Sequence, residues 1–144
     1  MPISEVYNMD CLDYMKTIPD KFFDLCIADP PYGISMDGGK IGKGVKARQA
    51  VYGKKDWDKQ PPDVVVFSEI LRISKNAIIW GANHFISRIP IDSSCWIVWD
   101  KDNGANDFAD CELAFTNFRS AVRKFQFKWQ GMLQGNMKNK ELRI

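Results

Sequence analysis

The chain has no long apolar run. Nowhere in its 144 residues does it approach the roughly eighteen consecutive apolar residues that a membrane-crossing helix needs. Its start, Met1-Pro2-Ile3-Ser4-Glu5, lacks a basic stretch followed by an apolar one, so no secretory leader is read there and a cytoplasmic location is the expectation. A Cys-x-x-Cys pair is also missing. Cys11, Cys26, Cys95 and Cys111 stand far apart and three of them lie in apolar segments, where a thiol serves as a small core residue, so neither metal nor disulfide is indicated. Histidine is scarce: the single one, His84, suits a surface or packing role better than chemistry. Internal repeats and composition breaks are lacking too. With 45% apolar and 26% charged residues, the chain reads as one domain over residues 1–144, enough for a single core and too short for two ordinary domains.

Net charge is small but not evenly spread. The formal net charge is +2, yet residues 40–55 hold Lys40, Lys43, Lys46, Arg48, Lys54 and Lys55 with no acid. Taking those six from twenty bases leaves fourteen against eighteen acids, so the remainder is near −4. A basic segment rich in glycine (Gly38, Gly39, Gly42, Gly44, Gly53) suits phosphate contacts and closure over a ligand. It reads equally as a solvated surface loop.

Hydrophobic spacing alternates between helix and strand. Asp10 caps a short helix carrying Leu12 and Met15, with Asp13 completing a capping-box-like pattern and Pro19-Asp20 ending it. A strand near 24–28 is apolar on both faces, as in a parallel sheet covered on each side. Residues 34–60 read as a mobile loop. Pro61-Pro62-Asp63 open a helix with Phe67, Ile70 and Leu71 on one side, closed at Lys75-Asn76 before a strand at 77–80. Ala82 to Ile89 reads as another short helix, with strands following near 95–99 and 112–116. A last strand at 125–129 alternates Phe125, Phe127 and Trp129 on one face, and a loose tail runs over 131–144.

The most informative segment is Asp29-Pro30-Pro31-Tyr32-Gly33, directly after Leu25-Cys26-Ile27-Ala28. An acid, two prolines and an aromatic at the carboxyl end of a buried strand stand where open α/β sheets hold ligands. The prolines stiffen the loop and remove N–H groups, and Tyr32 sets a flat face beside a carboxylate. Such a site suits a planar molecule with an exocyclic amine. Here the chain resembles the amino-group DNA methyltransferases, whose signature is Asp/Asn/Ser-Pro-Pro followed by an aromatic. Further similar segments follow the family's order: Asn8-Met9-Asp10-Cys11-Leu12, Ile18-Pro19-Asp20, Ile78 to Phe85, Trp99-Asp100-Lys101 and Asp110 to Phe115.

The resemblance implies a partial Rossmann-like, S-adenosylmethionine-dependent methyltransferase sheet of three-layer α/β/α type, lacking the C-terminal cofactor-binding strands. The family's glycine-rich Asp-Pro-Phe-x-Gly-Ser-Gly segment and its preceding Pro-x-x-Lys-Pro run have no counterpart here. The Pro-Cys nucleophile of the cytosine-C5 enzymes is absent as well, which makes the acceptor an amine. By the resemblance, Asp29, Pro30, Pro31 and Tyr32 are catalytic, Asp10, Cys11 and Asp29 touch S-adenosylmethionine, and the six basic residues contact double-stranded DNA. Asp10 is equally well a plain helix cap. Trp99-Asp100-Lys101 reads either as target-pocket lining or as an ion pair at a strand end, and Glu112 is open in the same way. Asp at the head of the motif points to adenine N6, with cytosine N4 as the alternative target. An inactive remnant, a DNA-binding module and one subunit of a split enzyme are the other readings. Because the 24–28 strand is central in the full fold, its missing neighbour would leave a free edge, which invites self-association or a complementing chain.

Overall fold

The computed structural model describes residues 3–35, 58–104, 109–130 and 133–134. The basic stretch Lys40, Lys43, Lys46, Arg48, Lys54 and Lys55, most of the expected loop at 34–60 and nearly all of the expected loose tail lie outside these residues.

Helix α1 covers Cys11–Lys16, and Asp10 is its cap: one carboxylate oxygen accepts from Leu12 N at 2.8 Å and Asp13 N at 3.4 Å. Asp13 does not complete a capping box but pairs with Lys16, a turn further on. Strand β1, Phe23–Ala28, follows. Helix α2, Val64–Ile73, starts at Asp63, whose carboxylate accepts from Val65 N, and buries Phe67, Ile70 and Ile73, with Leu71 only half-buried. It passes without a loop into strand β2, Ser74–Trp80, so the helix ends two residues before the expected Lys75-Asn76 stop. Lys21 explains the abrupt end. Its amide bonds Arg72 O and its ammonium bonds Leu71 O and Ser74 O, taking carbonyls that a helix terminus otherwise leaves unpaired.

Strands β3 (Trp96–Asp100), β4 (Cys111–Thr116) and β5 (Arg123–Gln126) complete a sheet of order β1-β2-β4-β3-β5. The expected strands are present, but the sheet is mixed: β1–β2 and β3–β5 are parallel, while β4 runs against both neighbours. This five-stranded α/β architecture is compatible with a partial Rossmann-like methyltransferase fold. Two short strands, β6 (Trp129–Gln130) and β7 (Leu133–Gln134), form a separate hairpin. Trp129 is therefore not a continuation of β5, as the alternation of Phe125, Phe127 and Trp129 had suggested. The expected helix at 82–89 is instead two 3-10 turns, Ala82–His84 and Ile86–Arg88. They are split at Phe85, whose φ of −144° carries its ring onto Phe67, centroids 4.9 Å apart.

The core lies on one face of the sheet. Ala77 and Ile79 of β2 and Phe115 of β4 pack with Met15, Phe67, Ile70 and Phe85. On the other face Ile27, Ile78, Trp80, Ile97 and Phe125 line an open apolar groove of about 410 Å³. Among the described residues, the three-layer expectation is met on one side. Of the cysteines, Cys95 is buried and Cys26 half-buried, whereas Cys11 and Cys111 are exposed. No described helix is long and apolar enough to cross a membrane.

Arg72 ties α2 to the end of α1. Its guanidinium bonds both oxygens of Glu69, Asp20 at 2.7 Å, and the carbonyls of Ile18 and Met15. The hydrogen bond from Arg72 holds the Glu69 carboxyl below its ordinary value of 4.5. A depressed carboxylate stabilises above its unfolded value and loses that contribution as pH falls below it. The urea midpoint is therefore expected to fall from pH 5 to pH 3, and Glu69→Gln to flatten that fall. An unchanged slope in the variant would exclude Glu69 as a source.

Candidate active site

Strand β1 delivers Asp29 to the rim of the sheet, exposed, with Pro30, Pro31 and Tyr32 half-buried behind it. The loop then doubles back: the Tyr32 hydroxyl donates to Asp29 Oδ1 at 2.7 Å. A carboxylate has about four lone-pair positions, so this bond orients Asp29 and leaves acceptor capacity for another donor. Burial first, then the bond to Asp29 and the charges of Asp29, Glu112 and Asp58, push the Tyr32 phenol above its ordinary range. Tyr32 is accordingly a neutral donor with a flat apolar face.

The loop is pinned beyond Tyr32. Gly33, at φ +73°, donates to Asp58 Oδ1 at 2.7 Å, and Ser35 N donates to Asp58 O. A Cβ on Gly33 would stand 2.3 Å from Pro61 Cδ. Asp58 is only 2% exposed, and Arg88 fixes the neighbouring carbonyls of Pro61 and Pro62 at 2.8 and 2.7 Å. Neither Asp58 nor Arg88 was legible as a site residue, because both act through partners 25 or more positions away.

Tyr32 rests on the turn that leaves β2. Gly81 has φ +65°, its N–H bonds Leu113 O, and its missing side chain is the space Tyr32 occupies. The His84 ring lies parallel to Tyr32, at 11° and 4.9 Å between centroids. His84 is exposed and packs on the Tyr32 of the motif, in keeping with the surface or packing role read from the sequence. The signal for this contact was its place three residues after Gly81, at the end of a strand beside β1.

Lys101 and Glu112 form an ion pair, so the strand-end reading holds for them. Lys101 is buried and its ammonium lies 5.6 Å from the Trp99 ring and 5.1 Å from that of Trp129. Glu112 precedes Leu113, whose carbonyl accepts from the N–H of the Gly81 that Tyr32 covers. Asp10 and Cys11 stand at the start of α1, where the contacts of Asp10 are those of a helix cap.

No family model matches the chain. It is similar to several type II methyltransferases. It is 31% identical over 131 residues to M.BamHI of Bacillus amyloliquefaciens, covering 91% of this chain and 26% of that protein. With M.HinfI of Haemophilus influenzae the identity is 26% over 164 aligned residues, 96% of this chain and 45% of the relative. With M2.MboI of Moraxella bovis it is 32% over 63 residues, covering 44% and 22%. The chain thus spans less than half the length of each of these relatives.

Proposed function

We propose that this chain is the catalytic half of a DNA methyltransferase that transfers a methyl group from S-adenosylmethionine to the exocyclic N6 of an adenine turned out of the duplex. The observation that carries this reading is the pair at the carboxyl end of β1, an exposed Asp29 carboxylate oriented by the Tyr32 hydroxyl. The similarity to type II methyltransferases supports it independently. An exocyclic amine is a poor nucleophile because its lone pair is delocalised into the ring. If Asp29 and the Pro30 carbonyl each accept one of its N–H groups, the nitrogen moves toward tetrahedral geometry and its lone pair is aimed, a matter of positioning and electrostatics. Tyr32 stacks on the extruded base and offsets part of the unstacking cost, with stacking worth about 1–3 kcal/mol. Asp as first residue of the motif favours adenine over cytosine N4. Phosphate contacts are assigned to Lys40, Lys43, Lys46, Arg48, Lys54 and Lys55.

S-adenosylmethionine fits the described residues on the acceptor side only. When bound, it supplies an activated methyl group, and Asp29 with Asp10 and Cys11 are the residues to touch it. The glycines that follow strands do not make a cradle for its methionine part, since the space at Gly33 is filled by Pro61 and that at Gly81 by Tyr32. The deciding experiment is calorimetric titration of the purified chain with S-adenosylmethionine. Micromolar binding supports a site completed by the chain or its copies, and absence of binding overturns cofactor use by the chain alone.

A second reading, a subunit completed by another polypeptide or a second copy, is favoured by the sheet edge. Among the described residues strand β1 pairs only with β2, and Leu25 and Ile27 on it are 45% and 64% exposed. The apolar groove continues from Ile27 across the open face. Light scattering is expected to show concentration-dependent association that Ile27→Lys abolishes with little loss of stability. A dilute wild-type monomer that stays monomeric at high concentration counts against copies as the partner.

A further inference from the structure

We propose that His84 is a positioning residue that backs Tyr32 and so commits the opposite face of the phenol ring to the base; the role in base binding rests on the methyltransferase reading above. A Cβ placed on Gly81 would lie 2.1 Å from Tyr32 Cε1, 2.4 Å from Cζ and 2.7 Å from Cδ1. Three neighbouring ring atoms at such similar distances mean an approach through the face of the ring, not its edge. His84 stands three residues on, its N–H bonded to Gly81 O at 2.9 Å. Gly81 caps the 3-10 turn that ends at His84, and we place the imidazole on the same side of Tyr32 as the vacant Gly81 position. The parallel stack at 4.9 Å and 11° covers that face further.

The other residues near the stack have different tasks. Phe85, 2% exposed, is the core residue of this segment, stacks on Phe67 and meets Tyr32 only at a tilt of 49° with centroids 6.4 Å apart, whereas His84 is exposed and lies parallel to Tyr32. The phenol is therefore held through its hydroxyl by Asp29, by the Gly81–His84 turn and by the tilted ring of Phe85. A ring held in plane beforehand loses little freedom when a planar base arrives on its remaining face.

His84 is the only histidine of the chain, so its imidazole proton signals report on the stack without activity or labelled neighbours. The probe is adenosine, added to the full chain at millimolar concentration. In the free protein the imidazole signals are expected upfield of an exposed histidine, and Tyr32→Ala is expected to return them. On adenosine addition they stay upfield and shift further, as in a three-layer stack. His84→Ala is expected to weaken adenosine binding about two- to tenfold, the factor one aromatic pair sets, and His84→Phe to restore it. Release of the imidazole to exposed-histidine positions on adenosine binding would overturn the proposal, since His84 would then be a placeholder for the base. Undiminished binding by His84→Ala, or failure of His84→Phe to restore it, overturns it likewise. A Tyr32-dependent imidazole signal in a wild-type chain that does not bind adenosine overturns base stacking on Tyr32, while the methyltransferase reading is decided separately by the S-adenosylmethionine titration.

Discussion

Asp29→Ala is expected to reduce methyl transfer at least ~10²-fold while changing DNA affinity by no more than about threefold. In whichever form turns over, alone or completed by a second chain, the two effects separate because they arise from different physics. Affinity for DNA comes chiefly from cations on phosphates, and Asp29 is an exposed anion whose recorded partner is the Tyr32 hydroxyl. Transfer depends on an acceptor held where an amine must lose its planarity, and alanine has no acceptor. The loss of folding free energy is small by the same reasoning, because the side chain is at the rim and its removal frees one phenol that reaches water. Labelled methyl incorporation into unmethylated DNA, fluorescence anisotropy with the same DNA and a urea midpoint measure the three quantities side by side. If affinity and midpoint fall together with transfer, Asp29 holds the loop in shape and is not the acceptor.

The parts of the molecule that rest on neighbours in sequence were legible before any coordinates. Asp10 and Asp63 cap helices because a short side chain with an oxygen reaches N–H groups two residues on, a relation contained in a tetrapeptide. Strand β1 and its Asp29–Tyr32 sequel are likewise local. What escaped was set by distant partners. Helix α2 stops at Ile73 because Lys21, some fifty residues earlier, takes its carbonyls. Strand β4 runs antiparallel because the chain returns directly beside β3, but its other neighbour, β2, is a placement that an apolar run of six residues does not encode. His84 and Gly81 gain their place from Tyr32, about fifty positions away, so composition near them suggested only a turn.

Gly81→Ala tests that last connection, and it is expected to destabilise the fold by about 2–4 kcal/mol, from a left-handed residue given a side chain and an overpacked contact. The backbone at φ +65° disfavours any Cβ, and the atom would stand 2.1 Å from Tyr32 Cε1. The turn has little room to yield, since Gly81 N–H is tied to Leu113 O in β4 and Phe85 is locked in the core. Tyr32 must move instead, giving up the Asp29 bond or the His84 stack. Methyl transfer should then fall as far as in Tyr32→Ala. The double variant separates clash from backbone strain. Removing the Tyr32 ring opens the space, so Gly81→Ala with Tyr32→Ala should lose less than the sum of the two single losses, keeping the cost of the positive φ and of the missing ring but not that of the clash. Residues in direct contact are where additivity is expected to fail. Simple addition of the two single losses would mean that Tyr32 does not fill the space beside Gly81 in solution, and the platform for the base would have to be sought elsewhere.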